Sequence, residues 1–344
     1  MKLKIYVFGF LIFLSQWSLA QCFSSTGNPI GGTANMGVMG KNNLRVATFY
    51  KNSYSGKFFE GDKLHVGTGE ATAEDAVYNY VGILLGYGIT KKFTIEADAG
   101  YFINKTKNFA TPITGYGFSN IVISGKYNLL YISKKRFEIT AKLGVKAPLR
   151  TSAQVIRQGN IILDKHVDVQ SSLGNIGLVS QVYVIKEDPF NALRYFLLLN
   201  YEHNFVSYDG FFPLKQYNFG NSLNTSVFVT KHLHMPSALS WLTENWTAIL
   251  QLRHEHKWKN QMRSSSFNGN EWLYDDWQTT LQSGSDILFL SPQLNYTIAK
   301  SWNISVMVDI PLYQKYNGIQ LATDYAVAVN ISHDINFNKT VEPE

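Results

Sequence analysis

Thr94-Ile95-Glu96-Ala97-Asp98-Ala99-Gly100-Tyr101 sets charged, polar or small residues on one parity and apolar ones on the other. Successive side chains of an extended chain point to opposite faces, so this stretch carries charge on one side and only apolar surface on the other. The pattern recurs in both directions. Asn120, Ser124, Lys126 and Asn128 interleave with Ile121, Ile123, Tyr127 and Leu129, and Glu138, Thr140, Lys142 and Lys146 with Ile139, Ala141, Leu143 and Val145. Near the other end Asn303, Ser305, Met307 and Asp309 alternate with Trp302, Ile304, Val306, Val308 and Ile310. Asp324, Asn330, Ser332 and Asp334 alternate there with Tyr325, Val327, Val329, Ile331 and Ile335.

About twelve such stretches of roughly ten residues, joined by alternately short and long connections, are the signature of a membrane-spanning barrel. The expected fold is all-β: a transmembrane antiparallel up-and-down β-barrel of about 12 strands, apolar outside and wet inside. The strands are expected at 44–53, 76–88, 93–104, 117–130, 137–147, 172–185, 194–207, 217–231, 246–259, 285–298, 302–313 and 324–337. Short turns at 89–92, 133–135, 187–191 and 299–301 would face the periplasm, and the longer connections 54–75, 105–116, 148–171, 208–216 and 260–284 the outside. The connection 232–245 is unusually long for its side, and the last outer loop, 314–323, is modest.

The ends fit export. Met1-Lys2-Leu3-Lys4, an apolar run and Ser18-Leu19-Ala20 read as a secretory signal peptide over 1–20, with the mature chain expected from Gln21. No later stretch reaches the ~18 consecutive apolar residues of a helical span. Residues 21–43, rich in Gly, Ser and Asn, are expected as a periplasmic leader or a lumen plug; the barrel follows over 44–337 and a periplasmic tail over 338–344. Loss of Lys2 and Lys4 lowers the formal net charge from +6 to +4, and the basic residues are dispersed, so nucleic acid is not expected as a partner. Cys22 is the only cysteine, which excludes an internal disulfide; a free thiol is favoured over acylation because Gln21 does not suit lipoprotein processing.

Gly86-Tyr87-Gly88-Ile89-Thr90-Lys91-Lys92-Phe93-Thr94-Ile95, with Gly117-Phe118-Ser119-Asn120-Ile121 and Lys126-Tyr127, resembles a family of outer-membrane transporters named for a phenol-degradation pathway. The resemblance implies a barrel of about twelve strands and passage of small, even hydrophobic, molecules. One departure concerns assembly. Many such barrels finish on an aromatic residue, whereas Phe337 is followed by Asn338-Lys339-Thr340-Val341-Glu342-Pro343-Glu344, so either the signal is read internally or the strand ends before the chain does.

Inward parity gathers Glu96, Asp98, Lys126, Glu138, Lys142, Lys146, Glu202, Arg253, Glu255, Lys257 and Asp309 as lumen-lining candidates. A ladder of cross-strand ion pairs is favoured over a solute-screening belt, because mixed signs make no filter of one polarity; one wall can serve as both. In the outer loops Phe211, Phe212, Trp272, Tyr274 and Trp277, with Asp209, Asp275 and Asp276, are expected as exposed tips forming a recognition surface. His232, His234 and Met235 are weak candidates for a soft metal, and a polar turn is the preferred reading. His254 and His256, with Trp258 beyond, fit an interfacial girdle, as do Tyr50, Tyr101, Tyr131, Phe137, Tyr195, Phe205, Trp246 and Trp302.

No enzyme and no cofactor is expected. No His has a Ser two positions on, the spacing that would bring base and nucleophile to one strand face. Ser332-His333-Asp334 puts neighbours on opposite faces. The expected activity is passive passage of small solutes, hydrophobic or aromatic ones included, through the outer membrane of a Gram-negative cell. The alternative is a non-conducting surface barrel whose loops bind a partner. Expected partners are outer-membrane lipid, the secretion and barrel-assembly machinery and an unidentified small-molecule solute.

Overall fold

The computed structural model describes residues 37–66, 74–109, 111–159, 161–208, 211–212, 214–233, 245–268, 271–298 and 301–337. Residues 1–36, where a signal peptide and most of the leader are expected, residues 338–344 of the expected tail and residues 234–244 of the long turn lie outside the described residues.

Twelve strands form one closed sheet: β1 Asn43–Ser55, β2 Asp75–Gly88, β3 Phe93–Asn108, β4 Ile113–Ile132, β5 Phe137–Pro148, β6 Asn175–Asp188, β7 Leu193–Ser207, β8 Ser222–His232, β9 Trp246–Lys257, β10 Ser285–Ile298, β11 Trp302–Ala322 and β12 Tyr325–Asn336. Each pairs antiparallel with its neighbour in sequence, and β12 pairs with β1 from Asn43↔Asn336 to Tyr54↔Tyr325. Closure leaves the wall without an edge, the condition for a sheet in a bilayer, where no water can satisfy a free N–H or C=O.

Alternation decides which face is outside. Ile123 is 56% exposed and its neighbour Ser124 only 4%; Leu143 is 64% exposed and Lys142 only 8%. Ile83, Leu85, Ile95, Val145, Val227, Leu250, Leu294 and Val306 join the exposed set, while Ser226, Gln251, Ser291, Gln293, Asn295 and Ser305 are buried. This is a soluble protein turned inside out. The exposed apolar band is the surface a bilayer covers, and the polar residues line the interior. Tyr131, Tyr195, Phe205, Trp258 and Trp302 are exposed toward the strand ends, where amphipathic rings anchor a barrel, whereas the exposed Tyr50 and Tyr101 lie midway along β1 and β3.

Two stretches differ from the sequence reading. Residues 314–322 are not a loop: β11 runs on to Ala322, with a bulge at Gly318 (φ +73°), and pairs with a short strand, Lys57–Gly61, from the first outer loop. Residues 217–218 do not belong to β8. They lie in a short strand, Lys215–Asn218, that pairs with Gln261–Phe267 of a later outer loop. The chain leaves the barrel at Gly220, where a Cβ would sit 2.0 Å from the Trp258 carbonyl oxygen, so only glycine permits the approach.

Candidate lumenal site

Parity and register together build the interior wall. β4 separates β3 from β5, and Glu96 of β3 lies opposite Ser124 of β4. The short Ser124 side chain leaves room above it. Glu96 Oε1 therefore accepts from Lys126 Nζ at 2.6 Å, and Oε2 lies 2.9 Å from Lys142 Nζ on β5. Lys126 also sits 5.1 Å from the centre of the Tyr183 ring on β6.

A second carboxylate is held the same way across the barrel. Asp309 of β11 lies 2.9 Å from Lys51 Nζ on β1 and 3.2 Å from an Arg253 guanidinium nitrogen on β9, and accepts from Ser291 Oγ at 2.6 Å. Arg253 stacks over Phe289 at 4.6 Å. Lys146 Nζ reaches both Glu202 Oε1 and Asn204 Oδ1 at 2.5 Å, and Asn204 in turn accepts from Asn175 at 2.8 Å. Lys257 and Glu255 pair along one strand at 2.7 Å. Asp98 is half-buried on the same face, and Glu138 accepts from Thr140 Oγ1 at 2.7 Å near the short-turn end.

These contacts group the sequence candidates into Glu96 with Lys126 and Lys142, Lys146 with Glu202, Arg253 with Asp309, and Glu255 with Lys257. Burying such charges in a low-dielectric interior is costly unless each is paired and hydrogen-bonded, which the shared carboxylates achieve. Tyr183, Leu198, Phe228 and Ile249, with Phe196, form an apolar patch on the same inner wall.

The half of the interior at the long-loop end is occupied by one of the long loops. Residues 167–172 turn inward, with a short 3-10 turn at Val167–Val169, and are buried throughout. Asp168 pairs with Lys107, and Lys105 Nζ donates to the Gln170 carbonyl at 3.0 Å. The Gln170 side chain clamps the loop to itself, accepting from Gln154 N at 2.7 Å and donating to the carbonyls of Gln154 at 3.0 Å and Lys165 at 2.9 Å. Gly115 of β4 admits the segment, since a Cβ there would fall 1.7 Å from the Val169 carbonyl oxygen. His166 Nδ1 accepts from the Asp168 amide at 3.3 Å. Burial pushes the His166 ring down to about 4, against the pull of Asp168 and with Lys107 and Lys105 adding to the fall, so the ring is neutral at pH 7.

Phe211 and Phe212 are not exposed tips. They are 1% and 5% exposed and pack with Ala153, Val167, Leu173 and Phe219 over the infolded segment. The rings of one connection find a dry surface in the aliphatic side chains of the loop beside it, which no periodicity announces. Tyr274 and Trp277 hold the Arg263 guanidinium at 4.4 and 4.6 Å, and Arg263 donates to Gln216 Oε1. Trp272 is placed by backbone pairing with Phe267. Of the weak metal candidates, His234 and Met235 lie outside the described residues, and His232 Nδ1 stands 3.4 Å from Thr247 Oγ1. His254 and His256 both face Asp286 Oδ1, at 3.5 and 2.6 Å, on the outer surface of the barrel. Among the described residues no three His, Cys, Asp or Glu are arranged to hold a metal.

At the short-turn end residues 37–40 enter the mouth. Met39 N donates to Thr94 Oγ1 at 2.8 Å, and Gly88 gives way to the Gly40 carbonyl, which would lie 2.0 Å from a Cβ. A cavity of about 260 Å³ remains beside this strap, bordered by Met39, Arg45, Glu138, Arg194, Phe196 and Asp334.

Lys51, Lys105, Lys107 and Asp168 were not among the sequence candidates. Strict alternation from Glu96 would turn residues 105 and 107 outward; a register shift between Phe102 and Lys105 turns both lysines inward, and an end of β3 set at 104 left them in a loop. Asp168 carries no signal, because its place inside the barrel is set by the loop's fold.

No protein-family model and no curated protein sequence matches the chain. Among solved structures, an outer-membrane channel from Pseudomonas putida F1 superposes with a TM-score of 0.61 at 10% identity, covering 88% of this chain and 99% of that one. The β-domain of the Bordetella autotransporter Brka aligns at a TM-score of 0.44 and 8% identity over 86% and 100% of the two chains. A TodX monoaromatic hydrocarbon channel mutant aligns at 0.41 and 9% over 87% and 91%. The first likeness extends to the whole barrel, and at this identity it is a likeness of fold: the chain has the architecture of an outer-membrane β-barrel.

Proposed function

We propose that the protein is an outer-membrane channel for passive passage of small solutes, without enzymatic activity. The observation that carries this reading is the wall itself: a barrel whose outer face is apolar encloses a polar, ion-laced interior with structural elements at both mouths, the strap 37–40 and the infolded 167–172. A channel that must not leak is built this way, with a lined route and removable obstructions. The apolar patch of Tyr183, Leu198, Phe228 and Ile249 supports hydrophobic or aromatic solutes among the cargo. The location in this reading is the outer membrane of a Gram-negative cell after export and barrel assembly, with residues 21–43 as a periplasmic leader or a lumen plug.

The test is liposome swelling and single-channel conductance with the purified mature protein. Solute-dependent swelling supports passage. Absence of flux with neutral, charged and aromatic solutes alike, in the intact protein and in a variant lacking 165–170, sinks it. A second reading, a non-conducting surface barrel, is favoured by the close burial of nearly every inward side chain. Deleting 261–283 separates the two: altered permeability favours the channel, while loss of cell-surface binding with unchanged permeability favours the barrel as an anchor.

A further inference from the structure

We infer that Lys105 and Lys107 form an oxyanion-binding site in the outer half of the lumen, which the protein's own Asp168 occupies as an internal ligand, and that the solutes this channel favours are small carboxylates able to displace it. The inference rests on the channel reading above and adds the chemical class of the solute.

The two lysines stand two residues apart on β3, so both ammonium groups project from one face of the strand into the barrel, and both are buried. The infolded loop brings one carboxylate to them. Asp168 pairs with Lys107, while Lys105 finds the Gln170 carbonyl oxygen at 3.0 Å and no carboxylate within ion-pair distance among the described residues. A third cation, Lys257, also acts on Lys105 but is already paired with Glu255 at 2.7 Å. The loop therefore brings one carboxylate to a site lined by two amines.

The fit of the occupant is incomplete as well. Asp168 Oδ1 is buried without a hydrogen-bond partner, and His166 offers no second cation, because its Nδ1 accepts the Asp168 amide proton. A buried carboxylate oxygen left without a donor destabilises the docked state. A free carboxylate, not tied to a turn, can turn both oxygens toward Lys105 and Lys107. The rings of Tyr78 and Phe102 lie 5.6 and 5.0 Å from Lys105 Nζ and give an apolar body a wall beside the charged end.

The segment that brings Asp168 is separable from the barrel wall. It is held by Gln154–Gln170 clamps within its own loop, by the Phe211–Phe212 cluster and by side-chain bonds to the wall at Lys105, Thr114 and Asn120, not by strand pairing. Displacing Asp168 removes the ion pair that joins it to β3 and leaves the Lys105–Gln170 hydrogen bond as its remaining tie to that strand, so ligand binding and retraction of the segment are linked: a solute that binds only the retracted state shifts the population toward it.

The experiment uses the folded, detergent-solubilised mature protein and succinate as probe. Calorimetric titration of Asp168→Asn is expected to show succinate binding at least about tenfold tighter than the wild type. Adding K105Q and K107Q to that variant is expected to abolish it, while circular dichroism reports the intact barrel. Ethanolamine hydrochloride and neutral erythritol should not bind. Inorganic phosphate competing as well as succinate would support recognition of an oxyanion but overturn the restriction to carboxylates. Equal succinate affinity in wild type and D168N, or binding that survives K105Q/K107Q, overturns the site. In liposomes D168N should swell several-fold faster in succinate than the wild type with little change in erythritol. Binding without flux of any solute leaves the site standing and removes the channel reading; flux without succinate binding does the reverse.

Discussion

Lys142 Nζ lies 2.9 Å from Glu96 Oε2 although β4 runs between their strands, so the pair braces the wall across a neighbour rather than along a ladder. With Lys126 on the other carboxylate oxygen, one acid neutralises two buried bases. Glu96→Gln leaves two buried ammonium groups without their counter-ion and is expected to destabilise the barrel by about 3–5 kcal/mol. Replacing all three residues by apolar ones of similar size (E96L/K126M/K142M) should recover most of that loss, since the desolvation cost disappears with the charges. Urea unfolding in lipid or detergent micelles measures both. Equal destabilisation of the single and triple variants would show that the cluster owes its value to packing.

Much of this wall was legible because each strand repeats the same binary code. Glu96, Lys126, Lys142, Lys146, Glu202, Arg253 and Asp309 were expected inside by parity, and all seven are buried. What parity cannot supply is distance along the barrel, so which cation would meet which carboxylate was open until register was known. It also fails where strands end. Lys105 and Lys107 continue β3 past its expected limit, and residues 314–322 continue β11, because outside the bilayer a strand is extended by whichever loop pairs with it. Phe211 and Phe212 show the other limit: an aromatic in a loop reads as exposed until a second loop covers it.

The strap at the short-turn end depends on one missing side chain. A Cβ at position 88 would stand 2.0 Å from the Gly40 carbonyl oxygen, closer than any real contact. Gly88→Ala is therefore expected to expel residues 38–40 from the mouth and raise single-channel conductance. Thr94→Val, which removes the acceptor of the Met39 amide, should act in the same direction but weakly, by about 1 kcal/mol. Unchanged conductance in both variants would show that the strap does not set the width of the mouth.

The infolded segment should respond to acid through His166. Burial lowers this ring to about 4 when the segment is docked, against an ordinary value near 6.5, so the undocked state binds the proton more readily. Docking stability from this group is complete above pH 6.5 and declines as pH falls from 6.5 toward 4. At pH 5 the loss is roughly 2 kcal/mol. Hydrogen exchange across 165–170, corrected for intrinsic rates, should show weaker protection at pH 5 than at pH 7.5, and His166→Gln should remove the difference. Equal pH dependence in H166Q would place the effect on another group, with Asp168, Lys105, Lys107 and Lys215 as the neighbouring charges.

Adjacent residues on β5 separate a membrane barrel from a soluble one. Leu143 faces outward and Lys142 inward. On a soluble surface an arginine in place of an exposed leucine is near neutral. In a bilayer the same change places a charge in hydrocarbon and costs about 2–4 kcal/mol at the midplane, falling to ~0–1 near the interfaces. Leu143→Arg is therefore expected to reduce folding into phospholipid vesicles while leaving recovery in urea unchanged, and Leu129→Arg, nearer a strand end, to have a smaller effect. A neutral result at Leu143, with normal insertion of the variant, would contradict the placement of this exposed apolar band in lipid.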